Sequence, residues 1–356
     1  RRDLADALDA GAVGLSSGLE YVPGMYADVA EMTALAKVAA EAGSFYATHL
    51  REEGDALEEA VAEAIAVAGG AGIPLQLSHH KAEKPRNWGK VTRTLAMVDA
   101  AQADGLDVLL DQYPYTAYQT GLATIALPPW AVGGTPSDMA DRLRDEETRS
   151  RVRAEMGGVD YAAVEIASST AHREYQGHTV QELAVDAGLD PRDWVLNLLA
   201  EGEGWISAAH FALSEDDVER VLSDPRVMIG SDAVAISPTG PDSTGRPHPR
   251  SYGTFARILA RYVRDKGVLS YQEAIRRMTS LPAGRIGLSD RGQIREGYRA
   301  DITVFDPAAI SDTATFAAPH ALAVGVDLVL VGGEIAFRNG IATGARAGRV
   351  LRRQSL

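Results

Sequence analysis

The sequence predicts an α/β fold, a parallel array of strand–helix units followed by a small β-rich unit. Three observations carry this. Short apolar runs alternate with helical patterns through residues 12–111, as in a chain of βα units. Several of those runs end in histidine or aspartate, the residue types that chemistry needs at the C-terminal ends of parallel strands. From Gly287 the texture changes: GQIREGYRADITVFDP and VDLVLVGGEIAFRNG alternate apolar and polar residues between tight turns. These observations place the βα array in residues 1–285, with an insertion at about 118–204, and the β-rich domain in 286–356.

In order, the chain opens with an amphipathic helical pattern (Leu4, Ala7, Leu8, Ala12) and no initiating Met, so the beginning looks cut. Residues 12–17 read as a strand. Asp28 caps a helix that Gly43 stops. Residues 45–49, FYATH, form the next strand, and 55–68 a helix that ends at a Gly-Gly-Ala-Gly break. Residues 73–77 are a buried strand that runs straight into His79 and His80. A helix near 91–102 and a strand at 107–111 complete the regular part. The insertion holds a Gly/Pro-rich loop, a charged helix at 137–156, a strand at 164–168 and a helix at 180–187. The βα rhythm resumes with strands at 205–210 and 227–232, and helices at 252–266 and 270–279 follow.

Composition narrows the function. Hydrophobic content of 46% with 24% charged is ordinary for a globular chain. A net charge of -14 argues against nucleic-acid binding through a basic patch. With no cysteine, any metal site must be built from His, Asp or Glu, and a reducing cytoplasm is the expected location. No stretch approaches the ~18 apolar residues of a membrane span, and no leader is visible.

His49, His79 and Asp232 all follow apolar runs. A histidine that ends a strand is more often structural, but three strand-end ligand types on one face are more specific. Two imidazoles and a carboxylate suit zinc. Such an ion acidifies a bound water, and a neighbouring aspartate can serve as its base. Because His79 and His80 are adjacent, at most one faces such a site; His80 is expected to hydrogen-bond behind it. His210 also ends an apolar run and stays ambiguous, whereas His172, His178 and His320 read as surface residues. Arg246–Arg250, RPHPR, could hold a carboxylate through its arginines and His248, or be a solvated loop. Tyr113 could donate to a substrate oxygen or simply plug the rim. Lys81 reads as a positive charge beside the site or a solvated helix-start lysine.

The stretches GAVGLSSGLEYVPG, YATHLREEGD, LSHHK, DQYPYTA, IGSDA, RPHPRSYGTF and the tail resemble the N-acyl-D-amino-acid deacylases (D-aminoacylases) of the amidohydrolase superfamily. The resemblance implies a distorted (β/α)8 TIM-type barrel with a small β-sandwich, and zinc-dependent hydrolysis of an N-acyl-D-amino acid to a D-amino acid and a carboxylate. It implies His49 and His79 as zinc ligands, Asp232 as catalytic acid/base, Tyr113 and Arg250 as carboxylate anchors with His248 beside them, and Lys81 close to the metal. The family's leading His-x-His pair and its zinc-binding cysteine have no counterpart here. The match starts at about the fourth barrel strand, so the chain is expected to be a fragment of a functional enzyme. Gln119 stands where relatives often carry a small hydroxyl residue, and Val331-Gly332-Gly333 replaces a Val-Asn-Gly turn. Two other readings are a cyclic-amide amidohydrolase of the dihydroorotase or hydantoinase kind, and a metal-free barrel remnant. The partner is a small molecule on either enzyme reading; one or two metals and the oligomeric state stay open.

Overall fold

Burial on both faces is what lets short apolar runs pair as parallel strands. In a computed structural model, which describes residues 1–353 apart from 203 and 242, four such runs come first. They are β1 (Leu15–Gly18), β2 (Tyr46–His49), β3 (Leu75–Leu77) and β4 (Val108–Gln112). Then come β5 (Tyr118–Gly121), β6 (Val164–Ser168), β7 (Ser207–His210) and β8 (Val227–Ile229). The last group is β9 (Ile302–Phe305), β10 (Val326–Val331), β11 (Glu334–Arg338) and β12 (Ile341–Ala342).

The main sheet is parallel throughout, in the order β1-β2-β3-β4-β8. Among the described residues it has β1 and β8 at its edges and does not close into a barrel. Leu75, Leu77, Val108 and Leu110 are fully buried, packed against Val61, Val67 and Val98 of the covering helices. Each such side chain contributes roughly 1.5–3 kcal/mol through burial.

The helix after β1 spans Val29–Glu41, and Asp28 accepts a 2.8 Å bond from the Glu31 amide at its start. The next helix runs to Ala71, past the expected stop at Gly69. Its left-handed cap is Gly72, at φ 65°. A Cβ on Gly70 would meet Thr33 at 3.2 Å, so this glycine allows two helices to approach closely and does not break one.

Two expectations change on the other side of the molecule. The strand at 205–210 does not continue the parallel array. As β7 it pairs antiparallel with β5 and β6 in a separate sheet, over a core that includes Leu122, Ile166 and Leu196. The single helix expected at 137–156 is two, Pro136–Arg144 and Glu146–Glu155, because Asp145 turns the chain and caps the second through the Thr148 amide. The C-terminal strands form one antiparallel sheet, β12-β11-β10-β9. Among the described residues this C-terminal unit holds that one four-stranded sheet. No described helix is long and apolar enough to cross a membrane.

Candidate active site

The strand ends bring the ligand-type residues together. Gly18 pairs with His49, and Thr48 with Leu77, so the ends of β1, β2 and β3 are level. His49 Nδ1 lies 2.8 Å from His79 Nε2. Only one proton can occupy the line between two facing ring nitrogens, and a cation can take its place.

His79 is held by its backbone as much as by its ring. It has φ 37°, in the left-handed region that a non-glycine residue rarely adopts. Asp111, at the end of β4, accepts from the His79 amide at 2.8 Å and from Gln76 Nε2 at 2.7 Å. That half-buried carboxylate fixes the turn. Burial raises its pKa above the usual carboxylate range. The chain reversal after β3 sends His80 the other way, where Nε2 meets Thr94 Oγ1 at 2.8 Å behind the site.

Two glutamates complete the cluster. Glu53 Oε1 is 3.1 Å from His79 Nδ1, and its other oxygen is 4.0 Å from His49 Nε2. Glu20 Oε2 is 2.7 Å from His49 Nε2. The donor atoms of His49, Glu53 and His79 lie within 4.8 Å of one another. Two imidazoles and a carboxylate at that spacing, with ring nitrogens face to face, form a donor set that fits a divalent ion such as zinc. Burial pulls His49 toward its neutral form, but Glu53 and Glu20 outweigh it and raise its pKa.

Lys81 is buried and lies 2.5 Å from Glu53 Oε2, 2.9 Å from His79 Nδ1 and 3.2 Å from the His79 carbonyl. Glu53 and the His79 carbonyl take two of the three ammonium donors, and the third reaches His79 Nδ1 in the tautomer that leaves that nitrogen unprotonated. Burial disfavours its charge, yet Glu53 more than compensates and the pKa is raised. The reverse holds for Glu53: burial would raise it, and Lys81, His49 and His79 together hold it well below the usual range.

Asp232 follows β8 at φ 48°, another left-handed non-glycine residue. Its Oδ2 is 2.9 Å from Arg250 Nη1, an ion pair without hydrogen-bond alignment. The Arg250 guanidinium lies 4.8 Å from the centre of the Tyr113 ring. Tyr113 is buried, and burial pushes its phenol up, so the hydroxyl keeps its proton. Among the described residues, neither the buried Tyr113 hydroxyl nor the buried Arg250 Nη1 has a hydrogen-bond partner. His248 has no free nitrogen: Nε2 donates to the Ala117 carbonyl at 3.0 Å, and Nδ1 accepts from the Arg250 amide at 3.0 Å. Burial, with Arg250 beside it, holds this ring neutral, well below the imidazole range. His210 faces β5, where Nδ1 meets the Tyr118 hydroxyl at 2.9 Å.

A cavity of about 580 Å³ starts at Glu20 and is bounded by Glu83, Tyr118, Leu127 and Val159. The structure thus gathers His49 and His79 in one cluster, with Lys81 in it and Asp232, Arg250 and Tyr113 alongside. Sequence reasoning passed over Glu20, Glu53 and Asp111. The spacing His49-x-x-x-Glu53 immediately after a strand was the available signal; nothing local marks Glu20 or Asp111.

Comparisons with known proteins agree with this picture. The amidohydrolase family model matches residues 2–337. The chain is 40% identical over 354 residues to the N-acyl-D-glutamate deacylase of Alcaligenes xylosoxydans xylosoxydans, covering 99% of this chain and 64% of that protein. It is 35% identical over 353 residues to the D-aminoacylase of the same organism, covering 99% and 64%. Among solved structures it matches the N-acyl-D-glutamate deacylase of Bordetella bronchiseptica in complex with zinc and a phosphonate inhibitor. That match has a TM-score of 0.80 at 37% identity and covers 98% of this chain and 64% of the other. The chain therefore spans about two-thirds of the length of these relatives. It belongs to the amidohydrolase family.

Proposed function

We propose that this amidohydrolase carries the metal and substrate groups of an N-acyl-D-amino-acid deacylase. The reaction is zinc-dependent hydrolysis of the amide bond to a carboxylate and a free D-amino acid. The observation that carries the reading is the buried Tyr113 hydroxyl, without a hydrogen-bond partner among the described residues, beside Arg250 Nη1, whose ion pair with Asp232 lacks hydrogen-bond alignment. Leaving the buried Tyr113 donor unpaired costs about 1–3 kcal/mol, and a substrate carboxylate removes that penalty. The relatives supply the D-configuration and the zinc, since the Bordetella enzyme holds zinc and a mimic of the tetrahedral intermediate.

His49 and His79 would hold the ion, with Glu53 as the carboxylate within reach. When bound, zinc supplies Lewis-acid polarisation of the acyl carbonyl and acidifies a water. Arg250 and Tyr113 donate to the α-carboxylate and set the scissile amide in place. An arriving carboxylate competes with Asp232 for Arg250, which releases Asp232 for proton transfer. Asp232 then accepts the proton of the attacking water and passes it to the departing amine. Lys81 holds Glu53 and the His79 carbonyl, and His248 orients Arg250 through its amide. Residues 1–285 act as the hydrolase unit with the 118–204 insertion over the cavity, and 286–356 as an accessory β unit, in a small-molecule enzyme of the cytoplasm.

Metal analysis of the purified protein, together with turnover of N-acetyl-D-methionine, N-acetyl-D-glutamate and N-acetyl-L-methionine, tests the reading. D-selective turnover with bound zinc, both lost in His79→Ala, is the expected result. Zinc binding without turnover of any N-acyl amino acid would sink it.

A further inference from the structure

We infer that Glu20 is a positioning residue of the metal site, which accepts the Nε2–H of His49 and commits Nδ1 of that ring to the ion. The inference rests on the zinc reading above for its consequence, though not for its geometry. Glu20 Oε2 lies 2.7 Å from His49 Nε2, and among the described residues the Glu20 side chain makes no other hydrogen bond or ion pair. A neutral imidazole carries one proton. A carboxylate at Nε2 keeps that proton there and leaves the Nδ1 lone pair facing His79, 2.8 Å away.

The fold holds Glu20 where it can do this. Glu20 lies two residues beyond β1, whose last residue, Gly18, is paired with His49. The Leu19 amide donates to the His49 carbonyl at 3.2 Å, so the chain leaving β1 follows the end of β2. On the far side the Tyr21 ring sits 4.9 Å from the His49 ring, and its hydroxyl is tied to Thr120 at 3.2 Å. Glu20 is thus fixed from both neighbours while its side chain stays one-third exposed at the cavity wall. Carboxylates behind a metal-binding imidazole typically change metal affinity by about 10–100-fold.

The test uses the full chain as wild type, Glu20→Ala and Glu20→Gln, with thermal melts to check folding. Long-range ¹H–¹⁵N spectra of the metal-free proteins, taken well above the imidazole range, read the His49 tautomer. Competition with a zinc chelator reads the affinity. Wild type should carry its proton on Nε2. Glu20→Ala should lose that preference and bind zinc about 10–100-fold more weakly, whereas Glu20→Gln, whose amide oxygen still accepts, should stay within about threefold. A Glu20→Ala protein with wild-type tautomer and affinity would overturn the assignment. So would Glu20→Gln falling as far as Glu20→Ala. Should wild type take up no zinc, the metal reading fails, and the tautomer, measured without metal, still decides the role of Glu20.

Discussion

The parallel sheet early in the chain and the antiparallel sheet at its end serve opposite purposes. In the parallel sheet every residue of β3 and β8 is buried, and the strands end in His49, His79 and the Asp232 turn. In the C-terminal sheet no residue of β9, β10, β11 or β12 is fully buried. A sheet covered on both faces holds its strand ends firmly in place, because close packing leaves little room to slip. An antiparallel sheet open to water tolerates much more. Chemistry therefore collects where the packing is tightest, and the strained turns at His79 and Asp232 are sustained by that packing.

Substitutions on the parallel sheet should hurt most if this division holds. Asp232→Asn should lower kcat about 10²–10⁴-fold, the usual worth of a proton-transfer group. Zinc content measured on the same preparation should not change; zinc loss would make Asp232 a ligand and not a base. Leu110→Ala, beneath the site, should destabilise the protein by about 2–5 kcal/mol in urea unfolding. Val304→Thr, on exposed β9, should change it by less than about 0.5 kcal/mol. Comparable losses from both would break the comparison. Arg250→Lys removes the planar fork. It should raise KM for the N-acyl amino acid about 10-fold, the loss of roughly one charge-assisted hydrogen bond. An unchanged KM would move the carboxylate subsite elsewhere.

The smallest effect concerns acid stability. Glu273 bonds to Arg276 and Arg277, at the base of the parallel sheet, and Arg277 in turn donates to the Leu222 carbonyl at 2.6 Å. The Arg276 bonds, partly offset by burial and reinforced by Arg277, lower the Glu273 pKa to about 2. A depressed folded-state pKa stabilises above the ordinary glutamate value near 4.5 and loses that contribution as the pH falls toward 2. The stability gap between wild type and Glu273→Gln should therefore be full at neutral pH and shrink below about pH 4.5. A gap that stays constant across that range would show the pair contributes nothing.

Much of this was legible along the chain. The apolar runs at 45–49, 73–77 and 227–232 marked the strands, and the residues that end them were readable as ligands because a strand's direction fixes which end is the mouth. The Asp28 cap was readable from residue type alone. The Gly69-Gly70 pair misled because a glycine in sequence looks the same whether it ends a helix or lies inside one, and only the structure shows that Gly70 admits Thr33 of the neighbouring helix. The strand at 205–210 misled for a related reason: an apolar run does not carry the identity of its partner.

Residue order is enough to show that strands alternate with helices, that His49, His79 and Asp232 follow apolar runs, and that any metal held by these residues is held without cysteine. It takes the folded chain to show that β7 leaves the parallel sheet, that Lys81 and His248 are engaged inside the protein, and that Glu20, Glu53 and Asp111 surround the two imidazoles. Periods of 2 and 3.6 residues are local and survive in a one-dimensional reading. The bonds from Asp111 to His79, Glu53 to His79 and Glu20 to His49 span 32, 26 and 29 residues, and they exist only once the strands have paired in register.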